Sequence, residues 1–268
     1  MDKRRMCPHC RAFITTSDRV CPYCKEEVGP RAIDRREPGA ILGGFIPHAR
    51  YTTFIILLIN FGLFVATSVY GKDVGENQAL FAFGAKLRLA ILGYHQWWRL
   101  VTAGFLHGGI FHILMNSWVL FDLGAQVEEV YGTSRMITFY FASTVCGFFA
   151  STLWNPGLSV GSSAGICGLI GAMIALGMRH RSALGDHIRG VYVRWAVYVL
   201  VFGLLLPQID NAAHIGGLAA GFGVGYVAGL PKVSSGAAER FWKVTAIVCI
   251  GLTALSFLEM YLWFSHPQ

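Results

Sequence analysis

Charge is what this sequence is short of. Asp, Glu, Lys and Arg make up 14% of its 268 residues, well below the roughly 25% of a soluble domain. With 54% hydrophobic residues and a mean hydropathy of +0.50, that shortage argues against a water-soluble core and for a polytopic membrane protein. Other things are missing too. The first residues, MDKRRMCPHC, carry charge but no apolar h-region, so no cleavable export segment is expected there. No internal repeat stands out. No lysine lies in any apolar span, which argues against a Ser-Lys membrane peptidase, and His-Glu-x-x-His is absent, which argues against a metalloprotease of that type. The net charge of +7 follows membrane topology, so no nucleic-acid partner is expected.

What is present is a series of apolar runs. They predict seven membrane helices over 53–70, 112–130, 136–154, 163–178, 191–206, 212–230 and 244–264. Several are near the short end of the roughly 17 to 25 residues that a crossing helix needs. Basic residues set the expected orientation. Lys3, Arg4, Arg5, Arg11, Arg19, Lys25, Arg31, Arg35, Arg36 and Arg50 keep the N-terminus cytoplasmic. The loops after the second, fourth and sixth spans, with Arg135, then Arg179, Arg181 and Arg189, then Lys232, Arg240 and Lys243, fall on the same side. The loop over 71–109 is the exception, since it is placed outside with Lys72, Lys86, Arg88 and Arg99, but long loops count for little under this rule. The C-terminus is then expected outside.

Ahead of the first span stand Cys7 and Cys10 in CPHC, and Cys21 and Cys24 in CPYC. Two such knuckles offer four thiolates to one tetrahedral Zn²⁺, and a segment this small needs a metal to hold a fold. Two disulfides are the alternative, disfavoured in a reducing cytoplasm. His9 reads as a knuckle residue, and Cys146, Cys167 and Cys249 as small buried apolar groups. The Gly-, Pro- and charge-rich stretch over 29–50 reads as a linker.

Two spans carry groups that are costly at membrane depth: Ser163 in GSSAG and His214 in HIGGLAAG. A serine paired with a histidine is a hydrolytic nucleophile with its base. The GxSxG string alone is weak evidence, because small residues also line close helix contacts in membranes. It opens a membrane helix here, which excludes the α/β-hydrolase setting of that string. The ladder Gly217, Gly221, Gly225 lets the His214 helix approach the Ser163 helix closely. His112 and Asn116, four apart near the start of the second span, share a face that offers neutral donors to an oxyanion. Asp210, four before His214, is the one acid placed to complete a triad, although a helix cap is its commoner role. Asp122 reads as a bonder of a neighbouring helix, and Glu128 as a partner for Arg135.

Together these stretches resemble the rhomboid protease family: WWRLVTAGFLHGG (97–109), HILMN (112–116), LGAQVEEVYG (123–132), GSSAG (161–165) and AHIGGLAAG (213–221), in the family's order. The resemblance implies an intramembrane serine endopeptidase with Ser163 as nucleophile, His214 as base, His112 and Asn116 in the oxyanion site, and His107 and Gly161 in support. It also implies a dyad without an acid, no cofactor for catalysis, and single-span membrane proteins as substrates. The expected fold is therefore an all-α polytopic membrane protein: a zinc-ribbon-like segment (1–28), a linker (29–50), a six-helix rhomboid core (51–230), and a loop with a seventh transmembrane helix (231–268). Its site is expected to open to the non-cytoplasmic side of a bilayer, a bacterial inner membrane being the expected location. A catalytically inactive relative that binds and escorts membrane proteins is the alternative, and a channel or transporter the blander one.

Overall fold

The structure, a computed structural model, describes residues 4–7, 9–15, 18–28, 51–206, 208–229 and 236–266. The chain divides into two compact units, Met1–His48 and Ala49–Gln268, and each is taken by itself. The expected linker over 29–50 lies outside the described residues.

In the small unit, β1 (Arg4–Met6) pairs antiparallel with β2 (Phe13–Thr15), Met6 lying opposite Phe13. The second knuckle repeats the plan, with an isolated bridge between Val20 and Glu27. The two turns share one hydrogen-bond pattern. Cys7 N–H donates to Ala12 C=O, and Arg11 N–H to Cys7 C=O; Cys21 N–H donates to Glu26 C=O, and Lys25 N–H to Cys21 C=O. Arg11 (φ 61°) and Lys25 (φ 62°) both take the left-handed conformation that closes such a turn. Cys7, Ile14, Cys21 and Val28 form the buried centre.

The large unit is helical and integral to the membrane. Its elements are α1 (Tyr51–Val74), α2 (Glu76–Ala82), α3 (Arg99–Thr102), α4 (Ile110–Tyr131), α5 (Thr133–Trp154), α6 (Ser163–Arg179), α7 (Ala183–Leu205), α8 (Asn211–Ala228) and α9 (Gly236–Ser265). Among the described residues five of these, α1, α4, α5, α7 and α9, are long and apolar enough to cross a bilayer. The two that fall short, α6 and α8, correspond to the fourth and sixth expected spans and carry Ser163 and His214. At 17 residues, α6 is about 25 Å long against a hydrocarbon core of roughly 30 Å. It is buried along nearly its whole length, so protein surrounds it instead of lipid. Two expected spans start earlier than their apolar runs: α7 at Ala183 and α9 at Gly236. Charged residues such as Asp186 and Arg189 continue the helix without contributing to hydropathy, and Ser182 caps α7 by accepting from Gly185 N–H at 3.2 Å.

The stretch over 75–109, which showed no apolar run, holds α2, one turn of π-helix (Leu89–Gly93), α3 and a 3₁₀ turn (Ala103–Phe105). Its basic residues are not free surface charges. Arg88 Nε donates to Thr152 C=O at 2.7 Å, and its other nitrogen to Leu153 C=O. Lys86 Nζ donates to the carbonyls of Asn155 and Gly157. The exposed carbonyls at the C-terminus of α5 are thereby satisfied by cations, the charge that a helix C-terminus favours. Three of the four charges that broke the topology pattern, Lys86, Arg88 and Arg99, are spent on backbone carbonyls.

One expected ion pair is absent. Glu128 accepts instead from Thr52 N–H (3.2 Å), the Thr52 hydroxyl, Thr53 N–H (3.4 Å) and Thr133 Oγ1 (2.9 Å). Those backbone donors are orphans of the first turn of α1, where a carboxylate is favoured. Arg135 pairs with Glu239 of α9 at 2.7 Å. Asp122 stays within its own helix, accepting from Gln126 at 3.0 Å.

α6 and α8 lie backbone to backbone. A Cβ on Gly217 would stand 2.2 Å from Ala164 O, one on Gly221 2.0 Å from Gly168 O, and one on Gly225 2.7 Å from Ala172 Cα. Gly223, on the same helix, meets nothing within 4 Å. Gly221→Ala should therefore cost about 1–3 kcal/mol through forced separation of the two helices. Gly223→Ala should leave stability unchanged or raise it by up to about 1 kcal/mol. Thermal denaturation of both variants in detergent checks the contrast.

Candidate active site

The loop before α6 delivers the serine through one residue that only glycine suits. Gly161 has φ +132°, and a Cβ there would stand 2.7 Å from His112 Nε2 and 3.6 Å from Ser163 Oγ. Its N–H donates to Ala103 C=O at 2.9 Å. Ser163 is the first residue of α6, so its own N–H is among those with no acceptor inside the helix. The hydroxyl and the His112 ring thus share the space over Gly161.

His214 lies in the first turn of α8 and is 5% exposed. Its Nε2 stands 2.8 Å from Ser163 Oγ. Its Nδ1 is buried without a hydrogen-bond partner among the described residues. A neutral ring that accepts at Nε2 carries its proton on Nδ1. The sequence-predicted serine and histidine are therefore brought into direct contact, and among the described residues no carboxylate hydrogen-bonds to the imidazole.

Asp210 caps α8, accepting from Ala213 N–H at 3.2 Å. Its second oxygen accepts from the Ser151 hydroxyl and from Asn155 Nδ2 at 3.2 Å. Burial would raise its pKa, but the hydrogen bonds from Ser151 and Ala213 and the nearby Lys86 charge hold the carboxyl below its ordinary range. Burial in turn pushes the Lys86 ammonium down to about 8, with Asp210 acting the other way. Asp210 thus ties the start of the His214 helix to the end of α5.

On α4, Asn116 is nearly buried and its Nδ2 donates to His112 C=O at 2.9 Å. The amide has a second hydrogen still to give. His107 sits against His112, ring centroids 5.1 Å apart, and its Nε2 lies 3.2 Å from the hydroxyl of Ser162. Sequence reasoning missed Ser162 as a partner: it is fully buried, and its place as the first serine of GSSAG was the only available sign. A cavity of about 300 Å³ is lined by His107 together with Phe64, Thr67, Lys72 and Glu76. Neither Ser163 nor His214 lines it.

The rhomboid domain family model matches residues 94–231, which take in His107, His112, Asn116, Gly161, Ser163, Asp210 and His214. The chain belongs to the rhomboid family. This rhomboid is 33% identical over 208 residues to "Rhomboid protease GluP" of Bacillus subtilis, covering 77% of the chain and 39% of that protein. It is 34% identical over 137 residues to "RHOMBOID-like protein 1" of Arabidopsis thaliana, 50% of the chain and 35% of that protein. It is 32% identical over 130 residues to "Inactive RHOMBOID-like protein 8" of the same plant, 48% and 37%. The chain thus matches less than half the length of each of these curated relatives.

The four thiols of the small unit fit one metal ion. The sulfurs of Cys7, Cys10, Cys21 and Cys24 all lie within 4.8 Å of one another, with Cys7–Cys24 and Cys10–Cys21 at 3.7 Å. Tetrahedral thiolates at about 2.3 Å from a shared ion would stand about 3.8 Å apart. Backbone N–H groups of Cys10 and His9 pull the Cys7 thiol down, while the neighbouring sulfurs push the Cys24 thiol up.

If Asp210 acts as a cap and tie and not as a triad acid, Asp210→Asn should keep the cap, since Asn caps as well as Asp, and lose only the bond from Asn155, whose amide would then face a second amide donor. Labelling of Ser163 by a fluorophosphonate should then stay within about tenfold of wild type, a barrier change of about 1.4 kcal/mol. A triad aspartate replaced by Asn loses about 10⁴ in a serine protease. Asp210→Ala should lower stability by about 1 kcal/mol. Labelling rates at matched folded protein, with melting curves alongside, separate the two roles.

Proposed function

We propose that this rhomboid is an intramembrane serine endopeptidase that cleaves single-span membrane proteins through a Ser163–His214 dyad. The 2.8 Å contact between Ser163 Oγ and His214 Nε2, where the backbones of α6 and α8 meet, carries the reading. Ser163 Oγ attacks the peptide carbonyl as His214 Nε2 takes its proton. The C–N bond then breaks, the proton passes to the leaving amine, and an acyl-enzyme remains. His214 next takes a proton from water, whose oxygen attacks the acyl carbon; the C–O bond to Ser163 then breaks and His214 returns the proton to Ser163 Oγ. Asn116 Nδ2, His112 Nε2 and the Ser163 N–H hold the developing oxyanion, each donor worth about 3–4 kcal/mol by soluble precedent. Gly161 keeps the space over the serine open, and His107 supports His112 and Ser162. No cofactor is needed for these steps. A helical substrate must unwind locally to present its carbonyl.

In this reading residues 51–230 are the six-helix catalytic core, 231–268 an added loop and helix, 29–50 a linker, and 1–28 a separable zinc unit. The basic residues favour a cytoplasmic N-terminus, with the site opening on the other side of the membrane. Cys7, Cys10, Cys21 and Cys24 would hold a structural Zn²⁺, which would cross-link the two hairpins.

One relative's name calls it inactive, which keeps a binding or escort role as the competing reading. Ser163→Ala and His214→Ala should each abolish cleavage of a single-span reporter, and labelling by a fluorophosphonate or isocoumarin, while leaving the protein folded and inserted. Robust turnover in either variant sinks the dyad, and a wild-type protein that neither cleaves nor labels is the escort. For the small unit, elemental analysis of purified protein should find one zinc per chain, lost when residues 1–28 are deleted, with reporter cleavage in detergent spared. Metal-free wild-type protein would remove the zinc assignment.

A further inference from the structure

The catalytic reading leaves α9 without a role. Its two ends make the same kind of contact. At one end Trp242 packs on the buried Arg135, 5.4 Å from guanidinium to ring centre, while Glu239 pairs with that arginine. At the other end Trp263 lies against Arg99, which is fully buried. There no ion pair forms among the described residues. The Arg99 guanidinium stands over Phe81 (4.1 Å), Trp98 (4.4 Å) and Trp263 (4.9 Å), and one of its terminal nitrogens has no hydrogen-bond partner among the described residues. Aromatic faces thus stand where a counter-ion would otherwise be needed, an attraction that strengthens as water is removed. Burial pushes the group down only to about 9, so it stays charged at neutral pH. Phe264 packs on Tyr70 and Phe83, and Phe257 on Phe105.

From Arg99 a short path of bonds leads to the serine. Its other terminal nitrogen donates to Phe81 C=O (2.7 Å) and Ala85 C=O (3.0 Å). The next residue, Lys86, exchanges both backbone hydrogen bonds with Ser159 at 3.0 Å each. Two residues further, Gly161 donates to Ala103 C=O. The backbone over 159–161, which sets both Ser163 and the opening over it, is therefore held by the segment that Arg99 organises.

We propose that α9 braces the segment over 81–105 and that Trp263 is a positioning residue acting on the site through Arg99. Its catalytic consequence rests on the proteolytic reading above; its structural consequence does not.

The test compares Trp263→Phe, which keeps a ring face for the guanidinium, with Trp263→Leu, which keeps an apolar side chain without one. Tyr261→Leu, at an exposed ring on the same helix, is the control. Amide hydrogen exchange in detergent, run on the Ser163→Ala background, needs no activity. Trp263→Leu should speed exchange over 81–105 and 159–161 severalfold while α8 stays as in wild type, and Trp263→Phe should restore most of the protection. With Ser163 present, Trp263→Leu should lower kcat by up to about thirtyfold with KM within about threefold, and Trp263→Phe should recover most of the loss. Equal behaviour of the Leu and Phe variants, or of Trp263→Leu and Tyr261→Leu, overturns the proposal. So does a fall in kcat with unchanged exchange over the segment. Faster exchange in a protein that never cleaves the reporter would uphold the brace and count against the protease.

Discussion

Everything near the site depends on how closely α6 and α8 approach. Lipid tails are as apolar as leucine, so two membrane helices associate through packing and hydrogen bonds instead of water exclusion. Here the packing is backbone on backbone: Gly217, Gly221 and Gly225 against Ala164, Gly168 and Ala172, with no room for a methyl between them. α5 joins the same contact, since a Cβ on Gly147 would strike Ala213 O at 2.6 Å and Ala164 Cβ at 2.8 Å. Ser163 and His214 each lie in the first turn of their helices. At that separation their side chains meet directly. A wider pair of helices would leave the imidazole short of the hydroxyl, whatever the chemistry of the two residues.

The second constraint is the handling of buried charge. A charge removed from water must be paired or hydrogen-bonded, and this fold uses its charged side chains to fix places where helices end. Lys86 and Arg88 close the C-terminus of α5; Asp210 joins that same end to the start of α8; Glu128 takes up the free N–H groups at the start of α1. Arg99 and Arg135 meet aromatic rings. The result is a hydrophobic bundle whose helix ends are cross-linked by polar bonds, so that the loop carrying Gly161 is held on several sides.

The small unit shows the same economy at another scale. Few of its side chains are buried, and what order it has comes from two hairpins with one hydrogen-bond pattern and four converging sulfurs. A unit of that size has too little apolar surface to stand alone, which is why a metal is the natural centre for it.

Composition and apolar runs were enough to establish a helical membrane protein and to locate α1 and α4 to α9 among the described residues, because hydropathy is a local property that a bilayer reads directly. The motifs around Ser163, His214, His112 and Asn116 were legible for a similar reason: reactive groups in apolar spans are costly and stand out. The knuckle spacing showed the cysteine cluster. Hydropathy could not show that α7 and α9 run on through charged turns, since charge on a helix surface does not end the helix. Nor could it show the helices over 75–109, or that Lys86, Arg88 and Arg99 are turned inward. Only the fold decided that Glu128 serves α1 and leaves Arg135 to Glu239, and that Asp210 faces Ser151 and Asn155 instead of the imidazole. Those outcomes depend on which helix ends come to lie together, and a carboxylate in a sequence does not say which free backbone groups will reach it.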